Sequence, residues 1–130
     1  MLSIIIPTLN EEENLPRILK SIKMQTGADF EIIVVDAHSE DETRTLAESY
    51  GARVIDGGLP ARARNLGAAA ATGDVLLFLD ADVVLPAPDF LAKTMDEFQE
   101  HKYGIATCAV CPMSEKRIDK LFHGVYNLYT

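Results

Sequence analysis

The feature that most constrains the fold of this sequence is the alternation of short, predominantly apolar runs with longer amphipathic stretches. Runs rich in β-branched side chains and bounded by polar residues are typical of strands buried on both faces of a parallel sheet. The predicted strands cover residues 2–7, 30–35, 52–55, 75–79 and 104–110. Because helices between these strands would cover both faces, the sequence predicts an α/β fold, a three-layer sandwich with a mostly parallel sheet.

The stretches between the apolar runs carry the signals of helices. In the first stretch, apolar residues recur at helical spacing, at Leu15, Ile18, Leu19 and Ile22. Ser39 and Glu42 have the spacing of a capping box, which predicts a helix from that point, with Gly51 after its last turn. An alanine-rich helix is expected over residues 61–72, and another helix follows residue 89.

The last stretch, from Ser114 onward, also has apolar residues at helical spacing. They are Ile118, Leu121, Phe122, Val125, Tyr126 and Tyr129. An uncovered face of this kind predicts self-association or contact with a membrane, whereas a face packed on its own sheet predicts neither. Because the pattern reaches Thr130 without a capping signal, it indicates a chain that is cut short of a longer parent.

Composition limits the class of protein. A chain of 130 residues with 48% hydrophobic residues is expected to form a single domain, covering 1–130, with a core of its own. The formal net charge of -8 disfavours nucleic acid as a partner and suits a divalent cation. Cys108 and Cys111 are too few for a disulfide framework and are expected to be buried and inert, so the expected location is cytoplasmic.

Acidic residues gather where the predicted strands end. The first strand leads into Glu11, the second ends at Asp36, and the fourth leads into Asp80 and Asp82. In parallel α/β sheets the ligand lies beyond the carboxyl ends of the strands. Like charges at one edge repel each other unless a cation or hydrogen-bond donors offset them. The sequence therefore places a candidate site at this edge.

The Asp80-Ala81-Asp82 segment is the sharpest candidate for a metal site. Two carboxylates one residue apart can share an octahedral ion, and hard oxygen ligands favour Mg²⁺ or Mn²⁺ bridged to substrate phosphates. The alternative is a solvated turn. At Asp36, a contact with a nucleotide base or ribose competes with an Asx turn ahead of Ser39. Arg62 and Arg64, at the start of the alanine-rich helix, suit a diphosphate, or else pair with the acidic surface.

Four segments together resemble the family 2 glycosyltransferases, which have the Rossmann-like GT-A nucleotide-diphospho-sugar transferase fold. Residues 4–12 resemble the family's opening Pro-x-x-Asn-Glu strand and turn, and residues 31–36 resemble its second strand. Residues 63–67 are similar to its Arg-Asn-x-Gly segment, and residues 73–82 to the strand that delivers its Asp-x-Asp motif. A departure is Ala37-His38, where many members have aspartate and glycine, and it bears on nucleotide preference.

This resemblance implies a UDP- or GDP-sugar donor, with Mn²⁺ or Mg²⁺ bridging its diphosphate and transfer, with inversion, to an acceptor hydroxyl of a lipid, saccharide or small molecule. Carried over by position, the nucleoside would meet Pro7, Thr8, Glu11 and Asp36. The diphosphate or base would meet Arg64, with Arg62. Asp80 would face the ribose and the metal, and Asp82 would ligate the metal. The family's general base would lie beyond Thr130, with the acceptor part, in a parent that also reaches the cytoplasmic face of the membrane.

Two alternatives stay open from the sequence alone. A phosphatase of the haloacid dehalogenase type is one, because residues 80–84 also resemble its Asp-x-Asp-x-Thr/Val signature, with Asp80 as the nucleophile. The other is a non-catalytic nucleotide-sugar-binding module, which a chain without the acceptor part would suit.

Overall fold

The computed structural model describes residues 1–108. Met1–Asp96 forms one compact unit, and Glu97–Thr130 groups separately, with residues 97–108 described. In chain order the elements are β1 (Leu2–Thr8), α1 (Leu15–Lys23), β2 (Phe30–Asp36), α2 (Thr43–Ser49), β3 (Arg53–Asp56), α3 (Pro60–Ala70), β4 (Val75–Phe78) and α4 (Phe90–Glu100). Among the helices of the described residues, none combines the length and the apolar character that spanning a bilayer requires.

The four strands form one parallel sheet in the order β3-β2-β1-β4. The chain runs outward from β1 through β2 to β3 and then returns to the other side of β1 with β4. This reversal places the topological switch point between β1 and β4, where ligands of such sheets bind. The register of β1 on β2 extends to Thr8 opposite Asp36, so both polar residues stay within the sheet.

Alternate residues of the strands build a core on each face of the sheet. Ile4 and Ile6 of β1 pack with buried residues of α1, while Ile5 packs with Ile33 of β2 and Ala63 of α3. All but Ala63, which is 1% exposed, are completely buried. Side chains two residues apart lie on the same face of a strand, which is why a run without polar residues can serve both cores. The three-layer arrangement predicted from the sequence is confirmed.

Helix α3 approaches the sheet closely because a glycine faces it. A Cβ atom on Gly67 would overlap the Ile5 side chain and lie 3.0 Å from Cγ2 of Val35. The helix begins at Pro60 and ends at Ala70, so it is shorter at its C-terminal end than the predicted 61–72. Its small residues let the backbone of α3 lie against β1 and β2. Because α3 follows the parallel strand β3, its N-terminal end lies at the carboxyl edge of the sheet.

The predicted capping box is wrong. Helix α2 begins at Thr43 with Glu42 as its N-cap, and no side chain caps it. The reason is that Ser39 uses both its hydroxyl and its backbone N–H to bind Asp36, three residues before it. At the other end of the helix, Gly51 has a φ of 77°, the left-handed conformation expected of a glycine that follows a last turn.

The predicted strand over residues 104–110 is not found in its described part, 104–108. These residues are exposed and pair with none of the four strands, and an apolar run forms a strand only by pairing. Cys108 is exposed in this segment, so the prediction that it is buried is wrong. Cys111, the predicted helix from Ser114 and its apolar face lie outside the described residues.

Candidate functional site

A cleft of about 530 Å³ lies at the carboxyl edge of the sheet. It is bounded by the end of β1, the loop before α3, the first turns of α3 and the turn after β4. The predicted site residues that line it are Pro7, Thr8, Glu11, Arg64, Asp80 and Asp82. The topological switch point thus brings these side chains together from separate parts of the chain.

Sequence reasoning missed the apolar and small residues of the same cleft. These are Leu9, Ala37, Gly58, Leu59, Pro60 and Ala81. None of them carries a chemical signal of its own. Their position next to predicted site residues, or at the start of the alanine-rich helix, was the signal that could have found them.

Arg64 is the cationic side chain of the cleft. Its Nη2 atom donates a hydrogen bond to Oδ1 of Asp80 over 2.6 Å. The side chains of Arg64 and Asp80 are 38% and 65% exposed, so this pair contributes at most about 1 kcal/mol to stability. Arg64 thus pairs with an acidic group, as one of its two predicted roles required, and that group, Asp80, is one of the two predicted metal ligands. A guanidinium beside these carboxylates can also bind the oxygens of a phosphate.

Asp80 and Asp82 are the candidate metal ligands of the cleft. Among residues 1–108, no cluster of three or more His, Cys, Asp or Glu side chains is placed to hold an ion. Two carboxylates on one turn nevertheless fit Mg²⁺ or Mn²⁺, because these ions keep several waters and take substrate oxygens as further ligands. The residues present fit an ion that arrives with a phosphate-bearing substrate.

Asp36 lies behind the cleft wall and is completely buried. Its carboxylate accepts hydrogen bonds from Oγ1 of Thr8 (3.0 Å), the hydroxyl (2.5 Å) and N–H (3.0 Å) of Ser39, and Nη1 of Arg44 (3.2 Å). Burial alone would raise the pKa of Asp36, but these donors, led by Ser39, outweigh it and lower the pKa. The Asx-type turn to Ser39 is thus present, and Asp36 meets the cleft through Thr8.

Arg62, which the sequence predicted as a site residue, and His38, where the chain departs from the family pattern, lie away from the lining. Arg62 is exposed on the first turn of α3, next to Gly58, and is not among the residues that line the cleft. His38 is exposed beside the lining residue Ala37 and has a φ of 62°. Histidine, like asparagine and aspartate, adopts this left-handed conformation more readily than other non-glycine residues.

The β1–α1 loop holds Glu11 in place. Oε2 of Glu11 accepts a hydrogen bond from Nδ2 of Asn14 over 3.0 Å, and its backbone N–H donates to Oγ1 of Thr43 over 2.8 Å. The carboxylate is therefore fixed within its own loop, and the main chain is fixed from α2. Both supports lie outside the residues that line the cleft.

The parallel sheet and the cleft at its carboxyl edge are those of a GT-A fold. Comparison with solved structures confirms this fold. The TarS structure from S. aureus in complex with UDP-GlcNAc has a TM-score of 0.69 and 29% identity, covering 78% of this chain and 32% of that one. Glucosyl-3-phosphoglycerate synthase from Mycobacterium tuberculosis, in complex with Mn²⁺, UDP and glucosyl-3-phosphoglycerate, has a TM-score of 0.58 and 31% identity, covering 68% and 36%.

The sequence profile of glycosyl transferase family 2 matches residues 3–121, and the chain belongs to this family. A PGL/p-HBAD biosynthesis glycosyltransferase of Mycobacterium tuberculosis is 44% identical over 111 residues, which cover 78% of this chain. Glucosyl-3-phosphoglycerate synthase of Mycolicibacterium smegmatis is 36% identical over 104 residues, or 72% of this chain. The chain spans 43% and 34% of the lengths of these two relatives. This membership removes the alternative of a haloacid dehalogenase-type phosphatase.

Proposed function

We propose that this chain is the donor-binding part of a glycosyltransferase that uses a UDP-sugar together with a divalent cation and transfers the sugar to an acceptor hydroxyl. The observation that carries the proposal is the convergence of Asp80, Asp82 and Arg64 with Thr8 and Glu11 on one cleft. Solved relatives contain UDP, and one of them contains UDP with Mn²⁺, which favours UDP over GDP for this chain as well.

The charge of the cleft supports a cation. Three carboxylates, Glu11, Asp80 and Asp82, and one guanidinium, Arg64, leave its lining with a net charge of -2. A nucleoside diphosphate is itself an anion and would be repelled by this lining. A divalent cation held by Asp80 and Asp82 would cancel this net charge and offer the diphosphate a positive partner. The lining therefore favours a donor that binds as its metal complex.

Each side chain has a proposed role. Pro7, Thr8 and Glu11 contact the nucleoside, and Asp36 supports that contact by holding the Thr8 hydroxyl. Arg64 takes the diphosphate role, because it lines the cleft whereas Arg62 does not. A guanidinium forms charge-assisted, often bidentate, bonds to phosphate oxygens, which orients the donor.

The chemistry proposed for the site is nucleophilic displacement at the sugar. Mn²⁺ or Mg²⁺, when held by Asp80 and Asp82, supplies electrostatic stabilisation to the leaving diphosphate. Arg64 would neutralise charge on the same oxygens. The acceptor and the general base that deprotonates its hydroxyl belong, in this proposal, to the acceptor part of a longer protein.

Calorimetric titration of UDP and of GDP, with and without Mn²⁺, tests the proposal. We expect Mn²⁺-dependent binding of UDP that Asp82→Asn weakens about tenfold or more, because this nearly isosteric change removes one charged ligand. Asp29→Asn is the matched control, since Asp29 is an exposed aspartate just before β2, at the opposite edge of the sheet. Absence of UDP binding, or binding that is indifferent to Mn²⁺ and to Asp82→Asn, would contradict the proposal.

A further inference from the structure

The loops that follow β1 and β2 are fastened to each other beside the cleft. Three successive backbone N–H groups of the first loop each donate to a side chain that follows β2. The pairs are Asn10 with Oγ of Ser39 (2.8 Å), Glu11 with Oγ1 of Thr43 (2.8 Å) and Glu12 with Oδ2 of Asp41 (3.1 Å). We call this set of three bonds the loop clamp. It holds the stretch that presents Leu9 and Glu11 to the cleft.

Two bonds in the opposite direction accompany the loop clamp. The N–H of Glu40 donates to Oδ1 of Asn10 over 2.9 Å, and the N–H of Glu42 donates to Oε2 of Glu12 over 3.1 Å. Asn10 has a φ of 53°, which an asparagine adopts more readily than most residues. The geometry of the first loop thus depends on contacts that residues distant in sequence provide.

Thr43 is the buried centre of the loop clamp. Its side chain is completely buried, and its hydroxyl accepts from Glu11 while donating to Oδ1 of Asp41 over 2.5 Å. Burial alone would raise the pKa of Asp41, but the bonds from Thr43 outweigh it and lower the pKa, so Asp41 stays an ionised acceptor at neutral pH. A side chain without the hydroxyl would leave the N–H of Glu11 without its partner.

We infer that Thr43, supported by Asp41, is a positioning residue for the donor nucleotide: it fixes the main chain of Glu11 and so sets the wall of the cleft. Thr43 does not line the cleft and acts only through Glu11. The loop clamp already uses the backbone N–H groups of residues 10–12. The loop therefore contacts the sugar nucleotide through its side chains and not through these N–H groups. This inference rests on the proposed function of the cleft.

The test compares Thr43→Val, Thr43→Ser and Thr45→Val. Valine keeps the shape of threonine but loses the hydroxyl, serine keeps the hydroxyl, and Thr45 is an exposed threonine on the same helix. The readouts are the Kd for UDP in Mn²⁺, at a temperature at which every variant is folded, and the hydrogen-exchange rate of the Glu11 amide by NMR. We expect Thr43→Val to weaken UDP binding about tenfold, the equivalent of one lost buried hydrogen bond, and to speed exchange at Glu11.

Rescue separates positioning from mere stability. Thr43→Ser is expected to restore both readouts to within about twofold of the wild type, and Thr45→Val to change neither. If Thr43→Val does not fold, Asp41→Asn is measured in its place, and the same loss of UDP binding is expected. Fast Glu11 exchange with wild-type UDP binding in Thr43→Val, or failure of Thr43→Ser to rescue, would overturn the inference. A wild type that protects Glu11 yet binds no UDP would instead overturn the proposed function.

Discussion

At the residue scale, side chains that face the cleft are separate from side chains that hold them. Thr8 lines the cleft, while Asp36 lies completely buried behind it and binds its hydroxyl. Arg44 bonds both to Asp36 and, over 2.9 Å, to Asp56 at the end of β3, so one guanidinium ties two strand ends together. A substitution at Asp36 would leave several donors unpaired, and we expect it to lower stability as well as UDP binding.

Glu31 is expected to make the stability of the protein depend on pH. Its carboxylate accepts bonds from the hydroxyl of Ser3 (2.6 Å) and the N–H of Thr72 (2.6 Å), which lower its pKa from 4.5 to about 2. A pKa lowered by folding gives stability that is present above pH 4.5 and lost as the pH falls toward 2.

Glu31→Gln is therefore expected to lower the free energy of unfolding at pH 7, and the difference from the wild type should shrink below pH 4.5. Urea unfolding at a series of pH values measures it. Glu48→Gln, on the exposed face of α2, is the control and should unfold as the wild type does. A Glu31→Gln difference that stays constant from pH 7 to pH 2 would show that the carboxylate charge is not the cause.

The chemistry of a site residue is readable from sequence, but its surroundings are not. That Asp80, Asp82 and Arg64 share one cleft could be predicted, because the end of β4 and the start of α3 lie at the same edge of a parallel sheet. The ion pair of Asp36 with Arg44 could not be predicted, because the two residues meet only once α2 has packed. The apolar lining carries no such signal at all.

At the scale of elements, the buried parallel strands were the most predictable part of the fold, because most residues of β1 and β2 face an apolar core on one side of the sheet or the other. The capping box failed because Ser39 had a stronger local partner in Asp36. The strand expected over 104–110 is absent from residues 104–108, where no partner strand provides the ladder. The sequence pattern shows which segments are apolar, and hydrogen bonding to a neighbouring strand decides which of these segments become strands.

Gly67 tests the close packing of α3. Glycine is about 1 kcal/mol worse than alanine within a helix, so an exposed Gly→Ala change would stabilise α3. Here the added Cβ would overlap Ile5, and we expect Gly67→Ala to lower the melting temperature instead. Thermal unfolding measures it, with Gly104→Ala as control because no atom lies within 4 Å of a Cβ there. A rise in melting temperature for Gly67→Ala would contradict the packing described.

At the scale of the whole molecule, strand order and charge act together. The order β3-β2-β1-β4 places the switch point where the carboxylates of the cleft meet, and the chain as a whole carries a formal net charge of -8. An acidic protein with an acidic cleft attracts a divalent cation before it attracts a phosphate. The central claim is therefore that UDP binds at this cleft as its metal complex.

Paramagnetic broadening of amide NMR signals by Mn²⁺, with and without UDP, tests that claim most directly. We expect broadening in the presence of UDP to be strongest around Asp80–Asp82 and Arg64, and weakest at the opposite edge of the sheet near Asp29 and Asp74. Asp82→Asn should reduce it, because the ion loses a ligand. Broadening centred away from the cleft, or broadening that UDP and Asp82→Asn leave unchanged, would contradict the account.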